Sequence, residues 1–181
     1  AGQLSRSPVL STVVDHDFTL SVPLEGLEPA THYRYQVLAG AAGDQAALRS
    51  RATGRFRTAA SSDTPEQVTL VWSGDLGGQG LCRKQGTGYA IFDRMLREMP
   101  TFAILLGDLI YSDDRCPSPP NVTGSDFMAT TLDHYRAKHR YQREDASLQR
   151  FLSTVPVYAM WDDHEVKNNF AGRHEPLMPI G

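Results

Sequence analysis

Asp75, Asp108 and Asp163 each stand just past a short apolar run that ends in a turn. Val68 to Trp72 leads into Ser73-Gly74-Asp75-Leu76-Gly77. Phe102 to Leu106 leads into Gly107-Asp108-Leu109-Ile110-Tyr111, and Val155 to Trp161 into Asp162-Asp163-His164-Glu165. A single Asp at such a turn ordinarily accepts hydrogen bonds from nearby backbone N–H groups. Three in succession, carried to the carboxyl edge of one open α/β sheet where ligands collect, would repel one another without a cation between them. The pattern predicts a metal centre, and a metal centre at a sheet edge points to hydrolysis.

The middle turn is the most specific. Gly107 allows a tight turn, Asp108 is placed to lie between two metals, and Tyr111 returns a phenol to the same place three residues later. A phenol with an ordinary pKa of ~10 becomes a hard anionic donor only beside a cation. On the third turn Asp163 is a ligand candidate and His164 a donor toward a phosphoryl oxygen, with Glu165 placed to orient His164. Trp161 and Asp162 read as turn-holding residues. Asn168 and Asn169 offer neutral amides for metal or phosphate, against a plain loop role. Arg83 follows the Gly77-Gly78-Gln79-Gly80 turn and could meet an anion, against an ordinary surface role. That glycine turn lacks both the dinucleotide and the P-loop spacing, so nucleotide binding is weakly supported.

The remaining histidines fit the centre poorly. His134 and His139 fall on different helical faces, His16 and His32 lie in the N-terminal segment, and His174 is in a terminal Pro/Gly-rich loop. Asn121-Val122-Thr123 spells a glycosylation sequon and nothing more.

Positioning these turns requires a strand–helix alternation. From residue 66 onward the pattern is strand, helix, strand, helix, strand, which implies parallel pairing. Helices are expected over Gly88 to Met99, from a Ser125 N-cap to about Gln142, and over Asp145 to Ser153. Tyr111 to Gly124 reads as loop because of Pro117, Pro119 and Pro120. Residues 1–60 differ, with period-two runs at Asp17 to Val22, His32 to Val37 and Gly54 to Thr58 that predict antiparallel strands. Tyr33, Tyr35 and Val37 are expected to face inward. Ala59 to Pro65 is a small, polar linker.

The 181 residues allow one domain, or one and part of another. A net charge of −3 gives no basic face for nucleic acid. No apolar run approaches the ~18–20 residues of a membrane span. Cys82 and Cys116 form no metal-clip spacing; two unrelated thiols are favoured over a disulfide.

These residues resemble the calcineurin-like metallophosphoesterases, and within them the alkaline phosphatase D (PhoD-like) family. The likeness rests on Asp75-Leu76-Gly77, Gly107-Asp108-Leu109-Ile110-Tyr111, and Trp161 to Glu165 followed by Asn168-Asn169, in that order. The resemblance implies an α/β fold: a partial parallel or mixed metallophosphoesterase sheet with helices over residues 66–181. Ahead of it, residues 1–60 resemble part of a fibronectin type III β-sandwich, through Leu27 to Tyr33 and Phe56-Arg57-Thr58. Such a sandwich takes roughly seven strands, so three candidates make it partial.

By the same resemblance, Asp75 and Tyr111 hold one metal, Asp108 bridges, Asp163 serves the second, and His164 stabilises the phosphoryl group. Arg83 and Asn169 would contact substrate. The implied cofactor is a dinuclear centre of iron(III) with calcium or another divalent ion, holding a hydroxide that attacks small phosphate mono- or diesters. A periplasmic, cell-envelope or secreted setting is implied as well. The family's later histidine-bearing blocks have no counterpart before Gly181, so the chain is expected to be the N-terminal portion of the enzyme. Two rivals are a non-catalytic binding or adhesion protein with structural acidic turns, and a phospholipid or phosphotriester hydrolase.

Overall fold

The computed structural model describes residues 6–172. His174 lies outside them. The chain divides into two compact units between Glu66 and Gln67.

In the first unit, β1 (His32–Ala39) pairs antiparallel with β2 (Arg49–Arg57), with a register shift between Val37 and Leu38. Alternation places Tyr33 and Tyr35 on one side, where Tyr33 stacks on Phe56 at 5.5 Å between ring centroids. Val37 does not follow them inward; it sits past the half-buried part of the strand and is exposed. The turn before β1 is tied to the end of β2 by Thr58. Its Oγ1 donates to the Glu28 carbonyl at 2.6 Å and accepts the Thr31 N–H at 2.9 Å. Asp17 to Val22 is not a strand. A 3₁₀ turn at Val14–His16 and positive φ at Asp17 and Phe18 break the extended path, and no strand pairs with it. Phe18, Leu20 and Val22 are all exposed. Alternation alone cannot make a strand without a hydrogen-bonding neighbour.

The second unit is built on a three-stranded parallel sheet in the order β3 (Leu70–Ser73), β4 (Phe102–Leu105), β5 (Val157–Ala159). The register puts Val71, Ala103 and Val157 on one face, where they meet Tyr89, Phe92, Met95, Leu148, Phe151 and Val155. Those residues come from α1 (Ile91–Arg97), α3 (Ala146–Leu152) and their flanks. Phe92 and Phe151 pack at 5.3 Å and are fully buried, each worth roughly 1.5–3 kcal/mol of apolar transfer. The opposite face carries Leu70, Trp72, Phe102, Ile104 and Tyr158, with Tyr158 edge-on to Phe102. Within the second unit nothing described covers it: Trp72 is 65 % and Tyr158 68 % exposed.

α2 (Leu132–Arg143) begins later than its periodicity predicts. Ser125 does not cap it. Its carbonyl instead accepts Cys116 N–H at 3.0 Å and Lys138 Nζ at 3.0 Å, and Thr131 caps the helix through His134 N–H. Asp145 does cap α3, accepting Leu148 N–H at 2.9 Å, and its other oxygen takes Tyr89 N–H at 3.0 Å. One carboxylate therefore fixes the entries of two helices.

Cys82 and Cys116 are joined in a disulfide, contrary to the expectation of two separate thiols. Asn121 brings their loops together: its Nδ2 donates to the Gly80 carbonyl at 3.0 Å and the Pro117 carbonyl at 2.9 Å. Only 1 % of Asn121 is exposed, so its sequon has no glycan-accepting side chain in this fold. No helix among the described residues is long and apolar enough to cross a membrane.

Candidate metal centre

Because the strands are parallel, all three acidic turns leave the sheet at the same edge. Backbone bonds continue the ladder past the strands: Leu106 N–H to Ser73 O at 2.8 Å and Met160 N–H to Leu105 O at 3.0 Å. Beyond them the turns tighten. Gly107, at φ +95, passes so close to the third turn that a Cβ there would lie 2.6 Å from Asp162 N. Asp75 (φ +57) and Asp108 (φ +50) also occupy the left-handed region, which aspartate tolerates better than most residues. Such strain gathers at functional sites. Leu76 N–H to Asp108 O, 2.8 Å, ties the first two turns together.

The side chains converge. Asp108, Asp163 and His164 each bring one ligand atom within 4.8 Å of the others. Tyr111 Oη donates to Asp75 Oδ1 at 2.8 Å, and its ring stacks on His164 with centroids 4.3 Å apart. Gly78 makes room for that phenol, since a Cβ there would meet the ring at 2.3 Å. His164 N–H donates to Asp108 Oδ1 at 3.1 Å. Asn169 reaches the cluster through its backbone N–H, which donates to Asp163 Oδ2.

Arg83 goes elsewhere. It is buried (8 % exposed), not at the surface, and it is bound to α2. Nη1 donates to Tyr141 O at 2.5 Å, Nη2 is 3.5 Å from Glu144 Oε2, and the guanidinium lies over the Tyr141 ring. Its charge is committed there and not to the acidic turns.

Two acidic residues hold the turns in ways the sequence pattern did not anticipate. Glu165 does not orient His164. Buried, it accepts three backbone N–H groups: Asp108 at 3.1 Å, Leu109 at 2.5 Å and Asp162 at 2.9 Å. The residue against the imidazole is Asp113, with Oδ1 2.7 Å from His164 Nδ1 and Oδ2 accepting Asn168 N–H at 2.7 Å. The signal for Asp113 was present as the acidic pair Asp113-Asp114 just beyond Tyr111, inside a stretch read only for its prolines.

The electrostatics fit a cation. Burial raises the Asp108 carboxyl above its usual range, and the charges of Asp162 and Asp163 push the same way against the opposing His164. Burial also raises the Tyr111 phenol, and the Asp75 hydrogen bond and the charges of Asp108 and Asp75 add to it. Burial, the largest single effect on each, would lower His164 and raise Asp113. Their mutual hydrogen bond, together with the charges of Asp113, Asp108 and Asp163 around His164 and the backbone N–H groups and His164 charge at Asp113, shifts each the other way. The Asp108 carboxyl and the Tyr111 phenol both resist ionising, and hard oxygen donors of this kind are what a di- or trivalent cation relieves.

The family model for PhoD-like phosphatases matches residues 70–178. Alkaline phosphatase D of Bacillus subtilis (strain 168) is 28 % identical over 162 residues, which is 86 % of this chain and 25 % of that protein. A solved structure described as "Structure of PhoD" superposes with a TM-score of 0.60 at 24 % identity, over 86 % of this chain and 28 % of that one, and supports the fold. The chain thus spans about a quarter of the length of the relatives it matches. With the match covering most of the second unit and all three acidic turns, the chain belongs to the PhoD-like phosphatase family.

Proposed function

We propose that this chain carries part of the active site of a metal-dependent phosphoesterase acting on small phosphate mono- or diesters. The observation that carries the reading is the convergence of Asp108, Asp163 and His164 donors within 4.8 Å, beside the Tyr111–Asp75 pair. Asp75 and Tyr111 would hold one metal, Asp108 would lie between two, and Asp163 would hold the second. Iron(III) suits the phenol, and calcium or another divalent ion suits the carboxylates. When bound, such metals polarise phosphoryl oxygens and lower the pKa of a water.

The chain's own residues then have separate tasks. Tyr111, which donates to Asp75, would lose its phenolic proton to solvent on binding the metal and join the Asp75 carboxylate as an oxygen donor. His164 donates to a phosphoryl oxygen, where negative charge grows in the transition state. Asn169 N–H holds the Asp163 carboxylate in place. Four side chains are too few for two cations that also take substrate, so further donors from beyond the described residues would complete the shell. In this reading residues 66–181 are the N-terminal part of a metallophosphoesterase domain. Residues 1–60 are part of a fibronectin type III-like module, supported by the β1–β2 pair. The Cys82–Cys116 disulfide favours a periplasmic, envelope or secreted setting.

The test uses the full-length, metal-loaded protein with p-nitrophenyl phosphate and bis-p-nitrophenyl phosphate. Asp108→Asn and Tyr111→Phe should each lower kcat/KM by at least about a hundredfold, ~2.7 kcal/mol of transition-state stabilisation. Elemental analysis should find iron, and a visible tyrosinate-to-iron(III) band should vanish in Tyr111→Phe. Full activity in both variants would leave the acidic turns structural and place the hydrolysis elsewhere.

A further inference from the structure

Leu76, next to Asp75, is held by its backbone on both sides. Its N–H donates to Asp108 O at 2.8 Å, and its carbonyl accepts Gln142 Nε2 at 2.7 Å. A carbonyl only accepts, so the Gln142 amide must face it with the NH₂ group and turn its oxygen away. That oxygen meets Tyr89 Oη at 2.5 Å, and there the phenol is the donor. Tyr89 is anchored in turn, through its own N–H, to Asp145 Oδ2, the carboxylate that caps α3. Gln142, Tyr89 and Asp145 are all buried. A run of hydrogen bonds therefore leads from the start of α3, by way of Gln142 on α2, to the first acidic turn. Gly77 leaves room for it: at φ +83, a Cβ there would lie 2.5 Å from Tyr89 Oη.

Asp75 needs such support. It is exposed, its backbone is left-handed at φ +57, and among the described residues its carboxylate has one hydrogen bond, from Tyr111. With so little holding the side chain, the backbone beside it decides where the carboxylate points. We propose that Gln142 is a positioning residue for the first metal site: braced by Tyr89, its amide fixes the Leu76 carbonyl and so keeps Asp75 beside Tyr111. This rests on the reading of Asp75 and Tyr111 as donors to one metal. Gln142 touches neither metal nor substrate and acts only through the turn.

The experiment follows variants of the full-length, metal-loaded protein by iron retention against a chelator, the visible band, and kcat and KM for p-nitrophenyl phosphate. Gln142→Met keeps the side-chain length and removes the donor. It should release iron about tenfold more readily, the low end of the range for groups behind a metal ligand, and shift the band. The kcat should fall by a similar factor while KM stays near wild type. Tyr89→Phe should act in the same direction and more weakly, because the amide can still reach Leu76. The double variant Tyr89→Phe/Gln142→Met should be no worse than Gln142→Met, since the phenol reaches the turn only through the amide. Wild-type iron retention and band in Gln142→Met would overturn the proposal even where its melting temperature falls, as would losses that multiply in the double variant. Asp75→Ala separates the two levels of the argument. If it keeps iron and the band, the reading of Asp75 as a donor falls and this inference with it. If it loses them while Gln142→Met does not, this inference falls alone. NMR of the wild-type protein loaded with a diamagnetic metal needs no variant to fold. The Gln142 side-chain NH₂ should exchange slowly with water; a freely exchanging amide would sink the idea.

Discussion

Tyr111 Oη donates to Asp75 Oδ1 across 2.8 Å, and that bond joins the first acidic turn to the second. Asp75 is exposed, so water can replace the phenol when the bond is lost. Tyr111→Phe should therefore change the stability of the metal-free protein by less than about 1 kcal/mol, the net worth of a typical hydrogen bond. The same variant should lose iron on dialysis against chelator well before wild type. Parallel thermal melts and metal analysis separate the two effects.

Glu165 predicts a sharper structural penalty. Its two oxygens accept three N–H groups from two turns, and no neutral side chain of that length can do the same. In Glu165→Gln one amide NH₂ must confront a backbone donor. The expected cost is about 1–3 kcal/mol for a buried group left unpaired. Guanidinium unfolding curves at fixed metal concentration measure it. A midpoint equal to wild type would mean that the turns stand without this brace.

The Cys82–Cys116 bond closes a 34-residue loop containing α1 and β4. A loop of that length should lose about 3–4 kcal/mol on reduction by chain entropy. Gly78, under the Tyr111 ring, lies four residues before Cys82, so reduction should also loosen the phenol's seat. Melting with and without dithiothreitol, compared with Cys82→Ser/Cys116→Ser, tests the estimate.

Lys138 predicts a pH dependence. Its ammonium is buried beneath α2, donating to Asp114 O at 2.5 Å and Ser125 O at 3.0 Å. Burial pushes its pKa down to about 8, against the pull of Asp114, Asp113 and Asp126. The unfolded chain keeps that proton to ~10.4. Between about 8 and 10, unfolding takes up a proton, so raising the pH favours the fold through this group. Below that window both states are protonated and the buried charge costs its full amount. The stability difference between wild type and Lys138→Met should therefore grow in favour of wild type from pH 8 to pH 10. A flat difference would place the ammonium in water.

Much of the centre was legible because its residues are local to their strands. Asp75, Asp108 and Asp163 each follow an apolar run at a turn, and parallel pairing brings such turns to one edge whatever the details. Tyr111 belonged to the same short block as Asp108. Asp113 and the bonds from Glu165 to Asp108 and Leu109 were not legible, since hydrogen bonds between turns more than fifty residues apart leave no periodicity. Arg83 was misplaced for a similar reason: its partners Tyr141 and Glu144 lie on α2 and at its end, far along the chain. The start of α2 depended on Ser125 being drawn to Lys138 and Cys116, a tertiary contact that overrides local capping preference. The Asp17 to Val22 run alternates as a strand should, yet pairing decides strands, and pairing is not written in one segment.

The bare side of the parallel sheet has a practical consequence. Trp72 and Tyr158 stand in water beside Leu70, Phe102 and Ile104, and parallel strands ordinarily have both sides covered. Residues 1–181 expressed alone should be adhesive, binding fluorescent apolar dyes and growing in particle size with concentration in light scattering. Lysines at Trp72 and Tyr158 should keep the particles small while leaving Asp108, Tyr111 and Asp163 on the far side of their strands' ends undisturbed. A preparation that stays dispersed without them would mean the greasy surface finds cover within these residues.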